Sequence, residues 1–128
     1  MSWPGILYRA PAVLFAAALF WASSVPRLPL PDLGFALQDK LGHAIVYAVF
    51  SLLIYLALAR PKPLMRHPHA GAVVLGALYA ASDEWHQLSV PGRTGEIGDL
   101  VANTVGIVLA QLCLIWYRHR RLTGQVAD

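Results

Sequence analysis

The sequence predicts an all-α protein, a bundle of four transmembrane helices joined by short loops. Apolar residues make up 57% of the 128-residue chain and charged residues 13%, against about 45–50% and about 25% in soluble domains. The apolar residues fall into four blocks, 6–21, 41–59, 70–82 and 100–117. Pro- and Arg-bearing connections separate these blocks, and a chain of this length is one domain.

The first helix is predicted over about 6–23. Trp3 and Trp21 stand near its two ends, where indole rings favour the membrane–water interface. Arg9 lies early in the block, and its long stem lets the guanidinium snorkel back to that interface. Arg9, the apolar stretch and Ala22-Ser23-Ser24 also have the outline of a cleaved signal peptide. A single flanking Arg and the three spans that would remain favour an uncleaved helix. Pro26, Pro29 and Pro31 then make the first connection extended.

The second helix is predicted over about 41–59, with Asp39, His43 and Tyr47 recurring every four residues as one stripe. The second connection, 60–69, contains Pro61, Pro63 and Pro68 and cannot continue that helix. Its His67 and His69 read as a solvated turn, since no carboxylate or cysteine accompanies them.

The third helix is predicted over about 70–88 and ends in Ser82-Asp83-Glu84-Trp85-His86-Gln87. Ionisable side chains at membrane depth are costly and point to function. Tyr79, Asp83, His86 and Gln87 are assigned to one face, with Glu84 one position round. Pro91-Gly92 in the next connection forces a turn that carries Arg93 over the polar stripes. The fourth helix, about 97–117, places Asp99 and Asn103 on one face and ends in Trp116, Tyr117 and a basic tail.

Small residues recur every four positions on two helices: Ala72, Gly76 and Ala80 on the third, and Gly98, Ala102, Gly106 and Ala110 on the fourth. Such stripes permit near backbone contact, so these two helices are expected to form a tight hairpin that holds Asp83 or Glu84 beside Asp99 and Asn103. At about 1.5 Å per residue, Asp83 lies about 20 Å and His43 about 24 Å from the basic ends of their helices. On the same rise Asn103 and Asp99 lie about 21 and 27 Å from theirs. All four fall in one outer third of a hydrocarbon core of about 30 Å.

Seven cations, Arg9, Arg60, Lys62, Arg66, Arg118, Arg120 and Arg121, share the side of the termini; three, Arg27, Lys40 and Arg93, share the other. Basic residues favour the cytoplasmic side, so both termini are expected in the cytoplasm. The net charge of +3 sits at block ends and gives no nucleic-acid footprint. Cys113 stands alone, which excludes an intrachain disulfide and a thiolate metal site.

Four motifs in order then carry a resemblance: Asp39-Lys40-Leu41-Gly42-His43-Ala44-Ile45-Val46-Tyr47; Asp83-Glu84-Trp85-His86-Gln87; Pro91-Gly92-Arg93-Thr94; and Asp99-Leu100-Val101-Ala102-Asn103-Thr104-Val105-Gly106. The stretch from Asp39 to about Ala110 resembles the VanZ-like membrane proteins. That resemblance implies a small multi-pass protein of the bacterial inner membrane, in a family linked to teicoplanin (glycopeptide) resistance. It implies an envelope role and no enzyme class.

The polar groups support a site opening to the outer leaflet that acts on or binds a lipid or lipid-linked envelope component. His43, Asp83, Glu84, His86 and Asp99 are the candidate catalytic residues, the histidines because imidazole titrates near working pH. Lys40, Tyr47, Gln87, Arg93 and Asn103 are the candidate substrate-binding residues, Arg93 as a fork for phosphate or carboxylate. Asp83, His86 and Asp99 form a candidate set for a divalent cation. The expected partners are bilayer lipid and a lipid-linked or glycopeptide ligand. A binding or shielding protein without turnover is the alternative. An ion pathway is disfavoured because the inner halves of the helices carry no polar groups to complete a route.

Overall fold

The computed structural model describes residues 3–26, 37–93 and 95–124. The expected extended connection at 27–36 and Thr94 of the third motif lie outside these. Four helices follow one another: α1 Trp3–Ser24, α2 Gln38–Ala59, α3 Pro68–Gln87 and α4 Ile97–Gly124. α1, α2 and α4 are long and apolar enough to cross a membrane. α3, at 20 residues, has the length to do so at about 30 Å, but Asp83, Glu84, His86 and Gln87 make its last turn polar.

The boundaries move where local chemistry allows. α2 begins at Gln38 rather than 41, so Asp39 and Lys40 sit on its first turn. α3 begins with Pro68 in its first turn, where a missing N–H costs nothing. His69 therefore stands on a helix and not in a solvated turn. α4 runs on to Gly124, since nothing in Arg118–Leu122 breaks a helix. Arg120 and Arg121 lie over the rings of Trp116 and Tyr117, at 4.7 and 5.1 Å from their centroids.

The core is built on α2. Tyr47, Phe50, Ile54 and Tyr55 are buried together with Ala72, Ala80 and Ile107. Phe50 packs edge-on against Tyr79 at 5.0 Å and stacks on Phe15 at 5.9 Å. Leu14, Leu78, Val101 and Leu109 point outward, as a lipid-facing surface requires. Trp85 is 78% exposed. Arg9 is half-buried and lines an apolar cavity with Phe50, Ile54 and Tyr79.

The most extensive helix contact is between α2 and α4; the α3–α4 pair expected from the small-residue stripes also packs, with Glu84 beside Asn103. The stripe on α4 serves α2. A Cβ on Gly106 would run into the backbone of Ala44, and one on Gly98 would touch Lys40 Cε at 3.2 Å. The stripe on α3 does face α4, since a Cβ on Gly76 would meet Ile107 at 3.1 Å. Among the described residues α1 packs on α2 and α3 and not on α4.

Candidate functional site

The approach at Gly106–Ala44 has a direct consequence. It brings Lys40 and His43, within one turn of Ala44 on α2, against the first two turns of α4. Lys40 Nζ donates to Glu96 Oε2 at 2.7 Å, to Asp99 Oδ1, and to Asp39 Oδ2 at 3.5 Å. One ammonium thus ties three carboxylates together. Glu96 lies just before α4, where its carbonyl accepts the backbone N–H of Asp99 and of Leu100.

Asn103 connects this group to α3. It has no exposed surface, and its amide can be oriented from its partners. Glu84 Oε1, a carboxylate oxygen, accepts from Nδ2 at 3.4 Å. Oδ1 therefore faces His43 Nδ1 at 3.1 Å and accepts its proton. In its neutral form His43 is thereby the tautomer with hydrogen on Nδ1, and Nε2 is turned away from Asn103. That nitrogen faces Asp99 Oδ2 at 3.7 Å and Asp39 Oδ1 at 3.9 Å.

A third group centres on Asp83, which is 7% exposed. Its Oδ2 accepts from Tyr47 at 3.0 Å and from Gln87 at 3.4 Å, while Oδ1 has no hydrogen-bond partner. Asp83, Tyr47, Gln87, His43, Asp39 and Arg93 line one cavity of about 290 Å³ whose remaining wall is α1. The half-exposed Asp39 stands at its rim.

Two predicted members take other roles. His86 turns to α1, where its Nε2 contacts Ser24 Oγ at 2.9 Å and its ring stacks on Phe20. Tyr79 points the same way, donating to Ala16 O at 2.6 Å. Residues 79 and 86 are seven apart and align after two helical turns; 83 and 87 lie further round, toward α2. The single polar face assigned to α3 is therefore three directions, with His86 toward α1, Asp83 toward α2 and Glu84 toward α4. The cation set Asp83, His86 and Asp99 is not assembled. The set that converges is Asp39, His43 and Asp99.

Arg93 lines the cavity but its guanidinium is engaged: Nη2 donates to Ala22 O at 2.8 Å and Nε to Val25 O at 3.1 Å. It satisfies carbonyls at the C-terminal end of α1 that have no intrahelical donor. The turn that delivers it closes through Arg93 N to Val90 O at 3.1 Å. Gly92 in that turn has φ 82°, which Pro-Gly supplies without strain. Arg93 is thus a strap between the α3–α4 loop and α1.

The halves of the helices away from this site are also less apolar than the sequence suggests. Gln111 Nε2 donates to Ser51 O at 3.1 Å and Oγ at 3.2 Å. Its Oε1 meets His69 Nδ1 at 2.9 Å. His69 stacks on Tyr55, whose hydroxyl accepts from Arg118. The signal was present: Asp39, His43, Tyr47, Ser51 and Tyr55 form one unbroken i, i+4 stripe along α2. Buried Phe50 and Ile107 lie at the level between this layer and the cavity.

Comparison with known proteins agrees with this architecture. The VanZ/LLP1 family model matches residues 8–118. An uncharacterized protein of the fission yeast Schizosaccharomyces pombe is 31% identical over 97 residues, which is 76% of this chain and 56% of that protein. The chain therefore spans just over half the length of that relative. No solved structure matches.

Proposed function

The chain belongs to the VanZ/LLP1 family, and from that premise we propose that it is a membrane protein whose polar cavity binds the headgroup of a lipid or lipid-linked envelope component. One observation carries the reading. Asp83 is buried, its Oδ1 has no hydrogen-bond partner, and its side chain lines a cavity it shares with His43. An unsatisfied carboxylate oxygen costs several kcal/mol at membrane depth, so a donor or cation from a ligand gains what the fold leaves open.

The cavity lies toward one end of the bundle, in the outer third of the membrane rather than at its midplane. Asp39, Asp83, Glu84, Glu96 and Asp99 outnumber Lys40 and Arg93, and both cations are already engaged. This balance favours a ligand that presents an amine, several hydroxyls, or a phosphate accompanied by a cation. His43, with its free Nε2, is the residue equipped to take a proton from such a ligand. The excess of cations on the opposite side supports cytoplasmic termini and a cavity facing the periplasm of a bacterial inner membrane. The link to glycopeptide resistance belongs to the same proposal, since a protein that alters or masks an envelope component there changes what a glycopeptide can reach.

The test is binding of envelope lipid fractions to the full chain in nanodiscs, followed by analysis of the recovered lipid. Asp83→Asn and His43→Ala are expected to weaken saturable binding at least tenfold, and His86→Ala to leave it near wild type. Wild-type binding by both cavity variants overturns the reading. Recovery of a chemically changed lipid makes the site catalytic; return of unchanged lipid makes it a receptor.

A further inference from the structure

The two gaps around His43 Nε2 have a specific size. At 3.7 and 3.9 Å from Asp99 Oδ2 and Asp39 Oδ1, the nitrogen is beyond hydrogen-bond distance, which ends near about 3.2 Å. A tetrahedral ion with bonds of about 2.05 Å holds its ligand atoms about 3.4 Å apart. Both gaps match that spacing to within about half an ångström. All three ligand atoms lie within 4.8 Å of one another.

The surroundings are organised around the same point. Each carboxylate turns its other oxygen to Lys40: Asp39 Oδ2 and Asp99 Oδ1 take the ammonium, while Asp39 Oδ1 and Asp99 Oδ2 face the imidazole. Asn103 accepts the Nδ1 proton of His43, so in the neutral ring the lone pair lies on the nitrogen that faces the acids. A partner that accepts the remote N–H is the usual support of a metal-binding histidine. Buried Asp83, whose Oδ1 has no hydrogen-bond partner, lines the same cavity as His43 and Asp39 and adds a further carboxyl group to it.

We infer that Asp39 Oδ1, His43 Nε2 and Asp99 Oδ2 form a binding site for a divalent cation, with Lys40 and Asn103 orienting the ligands and one coordination position left toward the cavity. One nitrogen and two carboxylate oxygens suit Zn²⁺ or Mn²⁺ better than Ca²⁺. Three protein ligands with an open position is the pattern of a reactive rather than a purely structural metal. Charge supports the assignment: Lys40 alone faces the three carboxylates Asp39, Glu96 and Asp99, and a dication supplies the two positive charges that balance them. This inference rests on the reading of this end of the bundle as the functional site and deepens it, since a bound cation lets an acid-rich cavity accept a phosphate.

The experiment uses the full chain in detergent, stripped with chelator and given Zn²⁺, Mn²⁺ or Co²⁺ alone, with no lipid added. Bound metal is measured by equilibrium dialysis and elemental analysis, and the Co²⁺ form by its visible absorption. One equivalent per chain is expected for wild type and for His86→Ala. His43→Ala and Asp99→Asn are expected to lose at least tenfold in affinity, and Asn103→Ala about 10–100-fold. Asp39→Asn gives a check at a rim residue whose loss leaves the interior intact. The inference is overturned if wild type takes up none of the three ions, or if the His43, Asp39 and Asp99 variants bind as wild type does. Lipid binding without metal uptake would overturn this inference and leave the headgroup reading standing; metal uptake without lipid binding would do the reverse.

Discussion

Asn103 shows what a single amide does when both of its ends are buried. Nδ2 goes to Glu84 and Oδ1 to His43, so one residue joins α2, α3 and α4 and fixes which imidazole nitrogen is free. Replacing it with leucine keeps most of the volume and removes both contacts. Interhelical hydrogen bonds in membranes contribute about 0.6–2 kcal/mol, so Asn103→Leu is expected to lower stability by about 1–2 kcal/mol in detergent unfolding. Its effect on ligand binding is expected to be larger than that loss accounts for, because the tautomer of His43 is released. Equal affinity for ligand in Asn103→Leu and wild type would contradict this role. Asn103, His43 and Asp83 were identifiable because depth along each helix follows from residue count alone. His86 stands at the same level but turns to α1, because facing depends on angle, and two residues from the same turn can point to different neighbours. Asp39 was visible on the α2 stripe, but its part as a cation ligand depends on which of its oxygens Lys40 takes, and spacing does not encode that.

Among the helices, the α2–α4 contact governs the site. Gly106 lets the two backbones meet at Ala44, and the reach of Lys40 to Asp99 and of His43 to Asn103 depends on that approach. Gly106→Val drives a side chain into backbone, which cannot move aside as the end of a flexible side chain can. The expected result is separation of α2 from α4, with binding at the cavity lost and stability lowered by about 1–3 kcal/mol, the usual cost of overpacking. Gly76→Ala meets only the side chain of Ile107 at 3.1 Å and is expected to cost less than Gly106→Val on both counts. The comparison is read by binding and by thermal unfolding of the two variants in parallel; equal effects would remove the special role given to α2–α4. The four-residue recurrence of small residues revealed that a close contact exists on each helix. It left the partner open, because a stripe of glycine and alanine fits any backbone of suitable pitch. The choice of α2 follows from the charged ends: Lys40 finds Glu96 and Asp99 only if α2 lies against α4.

For the whole molecule, the open question is which face of the membrane the cavity meets, and the charge distribution makes a definite prediction. Arg60, Lys62 and Arg66 in the second connection and Arg118, Arg120 and Arg121 on α4 gather at the end opposite the cavity. Arg120 and Arg121 are shelved on Trp116 and Tyr117, the pairing expected at an interface. Cys113 is replaced by serine to give a cysteine-free background. Single cysteines are then placed at Ser89, exposed in the α3–α4 loop, and at Met65, exposed in the second connection. In intact bacterial cells whose inner membrane holds the protein, a membrane-impermeant maleimide that passes the outer envelope is expected to label Ser89→Cys and spare Met65→Cys. Lysis is expected to make both reactive. The opposite pattern would place the cavity under the cytoplasmic headgroups and exclude an envelope component of the outer leaflet as its ligand. The cation site would survive that result, because His43, Asp39 and Asp99 meet through helix packing alone, whichever way the bundle is inserted.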